Sequence, residues 1–247
     1  MHLQTFFSDH PSVAIAFSGG VDSSYLLYAG LHYGAKMKAY YVKSAFQPEF
    51  ELEDARKLAK ALNADMTVLP MDICTAAEVT ANPADRCYYC KKVIFEAIQK
   101  QAAADGFSVL IDGTNASDDS GDRPGMKALA ELSVRSPLRE CGITKDEIRR
   151  LSKEAGLFTW DKPAYACLAT RIPTGRTITN ALLHKVESAE NILFAMGFTD
   201  FRVRVLDDAA RLQVPLEQMP TVLECREQIL QAFKPYFSAV LLDLANR

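Results

Sequence analysis

The sequence has no long uninterrupted apolar run, and its first residues, Met-His-Leu-Gln-Thr-Phe-Phe, lack both the charged start and the apolar core of a signal peptide. It also has no excess of positive charge, because 28 lysines and arginines are balanced by 31 aspartates and glutamates. Proteins that bind nucleic acid usually carry such an excess. We therefore expect a cytoplasmic globular protein with no membrane segment and no nucleic-acid partner.

Two widespread nucleotide-binding motifs are also missing, the Walker loop with its lysine and the dinucleotide pattern Gly-x-Gly-x-x-Gly. In their place, residues 13–17 predict a buried strand that runs into Ser18, Gly19 and Gly20, and apolar residues at helical spacing follow from Asp22. A glycine turn before a helix is a natural phosphate site, since backbone N–H groups and the helix dipole both favour an anion. An ordinary serine-capped turn is the alternative.

The polar side chains of this turn support the same prediction. Ser18, Ser23 and Ser24 supply hydroxyl donors, whereas Asp22 would place a carboxylate beside the phosphates. Because that arrangement is unfavourable without a cation between the two charges, we expect Mg²⁺ at Asp22. The hexapeptide of residues 18–23 resembles the signature of the PP-loop ATP pyrophosphatases. That resemblance implies that ATP binds here and is cleaved between its α and β phosphates, which activates a carboxylate or carbonyl as its adenylate.

Strand and helix patterns alternate along the first part of the chain. Short apolar strands are predicted at residues 37–42, 66–70 and 108–111. Such alternation is typical of a doubly wound parallel α/β sheet. After Gly175, the order helix, hairpin, helix, strand indicates a smaller α+β domain. We therefore expect an ATP pyrophosphatase domain at residues 1–174 and a small substrate-binding or oligomerisation domain at residues 175–247.

Two loops follow predicted strands, and ligands of parallel α/β sheets lie beyond the carboxyl ends of the strands. The first loop begins at Lys43 and is expected near the adenine and ribose. The second contains Gly113, Thr114 and Asn115 after Asp112, and its small polar groups suit a ribose, a phosphate or Mg²⁺. A solvated turn rich in Asp and Asn is the alternative for this second loop.

The six cysteines are expected to be reduced in a cytosolic protein. Cys87 and Cys90 form a Cys-x-x-Cys pair at the start of a predicted helix, where both sulfurs can reach one metal. A redox dithiol, half of a zinc site and two unconnected thiols are the alternatives. Cys167 lies in a loop of residues 160–175 with no regular period, which favours a functional loop over a linker with a buried cysteine.

Six segments spread over most of the chain occur in the order found in one known family. They are Ser18-Gly19-Gly20-Val21-Asp22-Ser23, Asp112-Gly113-Thr114-Asn115, Arg123-Pro124-Gly125, Arg135-Ser136-Pro137-Leu138, Trp160-Asp161-Lys162-Pro163 and Ala166-Cys167-Leu168-Ala169-Thr170-Arg171-Ile172-Pro173. On these segments the chain resembles the LarE family of ATP-dependent sulfur transferases, which help to make the nickel-pincer nucleotide cofactor. The resemblance implies a PP-loop ATPase domain followed by a smaller domain, in a homo-oligomer.

The resemblance also implies a reaction. ATP adenylates a carboxylate of a pyridinium dicarboxylate mononucleotide, and a sulfur nucleophile then displaces AMP and leaves a thiocarboxylate. Arg171, Arg202 and Arg204 suit the phosphate and second carboxylate of that substrate, because guanidinium groups bind both as two-pronged donors. Glu190 matches a family position near the substrate and metal. Thr174 departs from the family, which usually has Tyr there.

The sulfur has two sources within the family. In one branch the cysteine that matches Cys167 gives up its own sulfur, so each protein acts once. In the other branch three cysteines hold a [4Fe-4S] cluster whose fourth iron is open to carry a sulfide. Because Cys87 and Cys90 accompany Cys167, we expect the cluster branch, reloaded by a sulfide or persulfide donor. Cys167, Asp22 and Arg171 are the expected catalytic residues.

Three other functions remain open from the sequence. A PP-loop tRNA sulfurtransferase would need a basic groove, which the acidic balance of the chain disfavours. A nucleotide sensor without catalytic activity would leave the three cysteines unexplained. A glutamine-dependent amidotransferase would need a glutaminase portion, which the sequence does not contain.

Overall fold

The computed structural model describes residues 2–118 and 124–245. In chain order these residues form α1 (Leu3–Asp9), β1 (Ser12–Ala16), α2 (Val21–His32), β2 (Lys36–Lys43), α3 (Glu49–Ala61), β3 (Asp65–Pro70), α4 (Ala77–Thr80), α5 (Arg86–Ala104), β4 (Leu110–Ile111), α6 (Pro124–Glu131), α7 (Pro137–Glu140), α8 (Lys145–Glu154), α9 (Asn180–Ala195), β5 (Arg202–Leu206), β6 (Ala209–Gln213), α10 (Met219–Glu224), α11 (Arg226–Phe233) and β7 (Ala239–Leu242). Among them, no helix has the length and apolar character needed to cross a membrane. Arg123, which belongs to one of the segments that carry the family resemblance, lies outside the described residues.

The first four strands build a parallel sheet in the order β3-β2-β1-β4. Its registers place Ile15 of β1 beside Ala39 of β2 and Ile111 of β4. Val13 and Ile15 pack on one face with helices α1, α2 and α3, whereas Ala14 packs on the other face with helices α5 and α6. Helices thus cover both faces of the sheet, and the expected doubly wound parallel α/β fold is confirmed.

The position of β1 in this sheet brings three loops to one edge. β1 lies between β2 and β4, and all three strands run in the same direction. The chain therefore leaves Ala16, Lys43 and Ile111 at the same side of the sheet. β2 pairs with one side of β1 and β4 pairs with its other side, so the strand order reverses at β1. Parallel α/β folds bind ligands in the crevice that forms at such a point.

The described residues divide into two compact units. The first contains the residues up to Ile73 and those from Asp85 to Ala164. The second contains Cys74–Ala84 and the residues from Tyr165 onward, so the boundary expected at residues 174–175 lies inside it.

Asn82 explains why the short segment 74–84 belongs to the second unit. Its side-chain amide is buried and donates to the carbonyl oxygens of Pro173 at 2.8 Å and Arg176 at 3.2 Å. The main-chain carbonyl oxygen of Asn82 accepts a hydrogen bond from the backbone N–H of Gly175 at 2.8 Å. Because buried polar groups are costly unless they are paired, these bonds fix the segment to the loop after Cys167.

The second unit holds a three-stranded sheet in the order β5-β6-β7. β5 and β6 form the antiparallel hairpin expected from the sequence, and β7 pairs in parallel with β6. Helix α9 begins after Thr179, whose hydroxyl accepts a hydrogen bond from the N–H of Leu182 at 3.2 Å. Along β5, Val203 is fully buried, and Arg202 and Arg204 flank it on the opposite face of the strand.

Candidate nucleotide-binding site and cysteine loop

A cavity of about 570 Å³ opens in the first unit beyond the carboxyl ends of β1 and β4. This volume is within the range of small-molecule and cofactor sites. The polar part of its wall consists of Ser18, Asp22, Ser23, Gln47, Glu51, Cys87, Lys91, Asp112, Thr114 and Asp118. Residues 18–23 are named here the phosphate loop, and residues 112–118 the β4 loop. Both lie at the sheet edge predicted from the strand pattern.

The phosphate loop needs a glycine at its turn. Gly19 has a φ of +71°, and a Cβ there would lie 3.1 Å from the Cβ of Ala55 on α3. Gly20 precedes α2 and gives the helix no side-chain cap. The N–H groups of the first turn of α2 thus have no capping side chain in the described part of the chain, and they point out of the helix toward its N-terminal end. Such a helix start is suited to bind phosphate.

The serines near this loop differ in where their hydroxyls point. Ser18 and Ser23 lie at the cavity wall with their hydroxyl oxygens 3.1 Å apart, and Ser23 Oγ also donates to the Gly20 carbonyl oxygen at 3.2 Å. Ser24 is fully buried, and its hydroxyl has no hydrogen-bond partner within residues 2–118 and 124–245. Ser24, which the sequence groups with the phosphate-binding serines, is therefore not part of the wall that these residues form.

Asp22 carries negative charge into the site, and its carboxylate is already paired. Lys145 Nζ donates to Asp22 Oδ2 at 2.6 Å, and Asn115 Nδ2 donates to Oδ1 at 3.4 Å. Lys145 is the first residue of α8, a position where the helix dipole favours acidic side chains instead. Lys145 is not among the residues expected from the sequence. A lysine at the start of a helix is unfavourable, and this local signal could have drawn attention to it.

The oxygen ligands around the cavity fit Mg²⁺. Asp22, Asp112 and Asp118 all line it, and carboxylate oxygens are ligands that this cation prefers. No group of three or more His, Cys, Asp or Glu side chains within the described residues is arranged to hold a metal ion. Since Mg²⁺ in nucleotide sites usually has one or two carboxylates together with phosphate oxygens and water, the donor set suits a cation that arrives with ATP.

Asp112 anchors the β4 loop beside the phosphate loop. Its buried carboxylate accepts hydrogen bonds from Thr114 Oγ1 and from Ser136 Oγ, both at 2.6 Å. The next residue, Gly113, approaches the phosphate loop so closely that a Cβ would lie 2.9 Å from the backbone nitrogen of Ser23. The two loops are thus in direct contact, and a side chain at this position would separate them.

Lys43, which is expected near the adenine and ribose, is paired with protein groups beside the cavity. Its Nζ donates to the Gln47 carbonyl oxygen at 2.6 Å and pairs with Glu49 at 3.3 Å, and Lys43 is not in the cavity wall that the described residues form. β2 instead supplies Tyr40 and Tyr41 to that wall. Burial raises the pKa of both tyrosines, so their hydroxyls stay uncharged near neutral pH. This part of the wall suits an uncharged base more than a phosphate.

Cys87 and Cys90 lie at the start of α5, three residues apart. Cys87 lines the same cavity as the phosphate loop, and Lys91, one helical turn further along, lines it as well. None of the six cysteines is in a disulfide. Residues three apart on a helix share a face, so both cysteines leave α5 on the same side. Cys167, the third expected ligand, belongs to the second unit.

The other expected residues surround Cys167 within the second unit. Arg171 and Glu190 are each only 1% exposed and form an ion pair with Arg171 Nε and Glu190 Oε1 2.9 Å apart. Arg202 is buried, and Arg204 Nη1 donates to the carbonyl oxygen of Thr170 at 2.7 Å. The fold thus gathers the three arginines and Glu190 around the loop that carries the cysteine.

The chain is similar along almost its full length to several known proteins, although no family model matches it. It is 31% identical to the pyridinium-3,5-bisthiocarboxylic acid mononucleotide synthase of Lactiplantibacillus plantarum, over 96% of this chain and 87% of that protein. It is 36% identical to an uncharacterized protein of Synechocystis sp., over 98% of this chain and 92% of that protein. A shorter match, 29% identical over 59% of this chain and 37% of the relative, is to the argininosuccinate synthase of Haloarcula marismortui.

Proposed function

Because the chain belongs to the LarE family of ATP-dependent sulfur transferases, we propose that it adenylates a carboxylate of a pyridinium dicarboxylate mononucleotide and converts it to a thiocarboxylate. The relative from Lactiplantibacillus plantarum is named as the synthase of the corresponding bisthiocarboxylic acid mononucleotide. The product would be an intermediate of the nickel-pincer nucleotide. The observation that carries the proposal is the cavity of the first unit, where an uncapped helix N-terminus, carboxylates and a cysteine share one wall.

In the first step, the phosphates of ATP lie at the N-terminus of α2, where backbone N–H groups and the helix dipole offset their charge. A carboxylate oxygen of the substrate attacks the α-phosphorus, the bond to the β-phosphate breaks, and pyrophosphate leaves. Lys91 at the cavity wall and Lys145 on Asp22 are the cations that offset charge on the departing pyrophosphate. When bound through Asp22, Mg²⁺ would supply further charge neutralisation.

In the second step, a sulfur nucleophile attacks the acyl carbon of the adenylate and expels AMP. We assign Cys167 to the site from which this sulfur is delivered, since it lies in the loop that most clearly resembles the family. Arg202 and Arg204, on one face of β5, are assigned to the phosphate and the second carboxylate of the substrate.

For the source of the sulfur we favour a [4Fe-4S] cluster held by Cys87, Cys90 and Cys167. The spacing of the first two at the start of α5 supports a chelating pair. When bound, a cluster with three protein thiolates has one iron without a protein ligand, where a sulfide can be carried. A sulfide or persulfide donor would be required. Because the thiolates need a reducing compartment, we place the enzyme in the cytoplasm. The family resemblance further implies a homo-oligomer.

A turnover assay with ATP, Mg²⁺ and the pyridinium dicarboxylate mononucleotide tests the reaction. We expect AMP and pyrophosphate to be released only with this substrate present, together with a product in which one carboxylate oxygen is replaced by sulfur. Asp22→Asn is expected to reduce the release of pyrophosphate strongly. Release of pyrophosphate with transfer RNA but not with the mononucleotide would replace the proposal, and no release with either would indicate a nucleotide-binding protein without this activity.

Metal analysis after anaerobic purification tests the sulfur source. We expect about four irons and four acid-labile sulfides per chain, lost in Cys87→Ala, Cys90→Ala and Cys167→Ala. Cys225→Ala is the matched control, because this cysteine lies between α10 and α11, outside the proposed ligand set. The intact mass of the protein before and after turnover distinguishes a cluster-bound sulfide from loss of the Cys167 sulfur. Absence of iron, with a mass loss of one H₂S at Cys167, would contradict the cluster and identify Cys167 as the sulfur donor itself.

A further inference from the structure

Three charged side chains are buried in the second unit around the loop of Cys167. Arg171 and Glu190 are each 1% exposed, and Arg202 is 6% exposed. A buried charge is costly unless it is paired and hydrogen-bonded, so such residues persist where their partners satisfy them. The partners of Arg171 and Glu190 therefore indicate what these residues do.

Arg171 connects α9 to residues before and after Cys167 and to Cys167 itself. Its Nε and Nη2 donate to the two carboxylate oxygens of Glu190, at 2.9 and 3.2 Å. Its Nη1 donates to the carbonyl oxygen of Ala166 at 2.8 Å, to the hydroxyl of Thr170 at 2.8 Å and to the carbonyl oxygen of Cys167 at 3.4 Å. Glu190 thus occupies the Nε–Nη2 edge of the guanidinium and three protein oxygens occupy Nη1, whereas a two-pronged contact to a substrate carboxylate or phosphate needs both donors of one edge unoccupied.

Glu190 completes the same network from α9. Besides Arg171, its carboxylate accepts hydrogen bonds from the N–H of Val203 at 2.9 Å and from the hydroxyl of Tyr165. The guanidinium groups of Arg171 and Arg202 lie over the ring of Tyr165, 4.6 and 5.0 Å from its centroid. Residues before and after Cys167 are therefore tied to one buried carboxylate.

The carbonyl oxygen of Cys167 is held by a second set of donors. Thr170 donates to it from its backbone N–H at 3.0 Å and from its hydroxyl at 2.8 Å, and the same hydroxyl accepts from Arg171 Nη1. Thr170 thus links the guanidinium to the residue that carries the sulfur. The backbone conformation at Cys167 depends on this chain of hydrogen bonds.

We infer that Arg171 and Glu190 are positioning residues that hold the main chain at Cys167 and so control the exposure of its sulfur, and that neither is a ligand of the substrate. The inference rests on the proposed function in that Cys167 belongs to the site from which the sulfur is delivered. Arg171→Lys is the informative change, because an ammonium keeps the charge but can satisfy only one of the two edges. Glu190→Gln keeps the shape of the partner and removes its charge.

The rate at which iodoacetamide alkylates Cys167, followed by peptide mass spectrometry without ATP, measures this role directly. Proteins are compared as purified and at matched iron content, with Cys225 in the same molecules as internal reference. We expect Arg171→Lys and Glu190→Gln to speed alkylation of Cys167 about tenfold, because the loop opens more often, while Cys225 keeps its rate. Arg176→Lys is the matched control, since Arg176 belongs to the same unit and contacts the Asp207 carbonyl oxygen instead.

Where the variants turn over substrate, steady-state kinetics distinguish a positioning role of Arg171 and Glu190 from a substrate-binding role. A positioning pair is expected to lower kcat with little change in KM for the mononucleotide, whereas a substrate ligand would raise KM. A Cys167 alkylation rate within about twofold of the wild type in folded Arg171→Lys protein would overturn the inference. Because alkylation needs no substrate, this outcome is distinct from a failure of the proposed reaction.

Substitutions of Thr170 test the same inference if the Arg171 variant does not fold. Thr170→Val removes only the hydroxyl that joins Arg171 to the Cys167 carbonyl, and Thr170→Ser restores it. We expect faster alkylation of Cys167 in Thr170→Val and the wild-type rate in Thr170→Ser. Equal rates in the two variants would also overturn the inference.

Discussion

Gly113 offers a sharp test of the contact between the β4 loop and the phosphate loop. A Cβ at this position would lie 2.9 Å from the backbone nitrogen of Ser23 and 3.2 Å from the Cβ of Asp22. Favourable contacts between heavy atoms lie near about 3.5–4.0 Å, so Gly113→Ala must push the loops apart by roughly half an ångström. These neighbours on α2 are backbone atoms and a Cβ fixed to the backbone, which cannot rotate away as the end of a flexible side chain can.

The expected cost follows from this overlap. Inserting a methyl group into a well-packed contact destabilises a protein by about 1–3 kcal/mol. For a chain of this size that corresponds to a fall in the midpoint of thermal unfolding of roughly 2–12 °C. The displaced residues also supply the first-turn N–H groups of α2, so we expect ATP to bind about tenfold more weakly or worse, a loss of about 1.4 kcal/mol.

Gly34→Ala is the matched control for stability. Gly34 follows α2, has a φ of +81° and has no atom within 4 Å of the position of an added Cβ. The unfavourable backbone conformation costs roughly 1–2 kcal/mol, close to the expected cost at Gly113, but it lies at the opposite end of the helix. Circular dichroism melts and titration with a fluorescent ATP analogue measure both effects. If Gly113→Ala binds the nucleotide as tightly as Gly34→Ala does, contact between the loops does not shape the phosphate site.

Two further predictions concern residues outside the predicted set. Lys91→Met is expected to raise the KM for ATP about tenfold, because one contact between a charged side chain and a phosphate is lost. Lys92 is the next residue along α5 and is not among the residues of the cavity wall, so Lys92→Met should leave the KM for ATP unchanged. Equal effects of the two substitutions would contradict the assignment of Lys91. The hydrogen bonds from Tyr40 and then Lys38 hold the pKa of Asp105 below its usual value, so this carboxylate stabilises the fold at neutral pH and loses that effect as the pH falls through its lowered pKa. Urea unfolding at about pH 7 and about pH 3 should therefore show a smaller difference for Asp105→Asn than for the wild type, and equal differences would refute the linkage.

The phosphate loop could be predicted because its parts are contiguous in the chain. β1, the turn at Gly19 and Gly20, and the start of α2 follow one another within a few residues, so local preferences specify the whole unit. The same holds for the cap of α8 at Thr144, whose hydroxyl accepts from the N–H of Glu147, and for the hairpin turn at Asp207. Each depends on neighbours within one turn of chain.

Side-chain direction was harder to predict than element type. Ser24 follows Ser23 directly, but successive residues on a helix point about 100° apart, so one hydroxyl reaches the cavity and the other is buried. Lys43 lies at the expected end of β2, and its ammonium pairs with the carbonyl oxygen of Gln47 and the carboxylate of Glu49. Composition and spacing specify neither outcome.

Pairs that are far apart in sequence depend on packing. Lys145 meets Asp22 across 123 residues, because α8 packs beside α2 on one face of the sheet. Asn82 joins the second unit through Pro173, 91 residues away, and Arg171 finds its buried partner on α9. The residue type alone indicates that a charged or amide side chain needs a hydrogen-bonding partner when it is buried. Which partner satisfies it is set by how helices and loops pack around the sheet, and no local pattern encodes that arrangement.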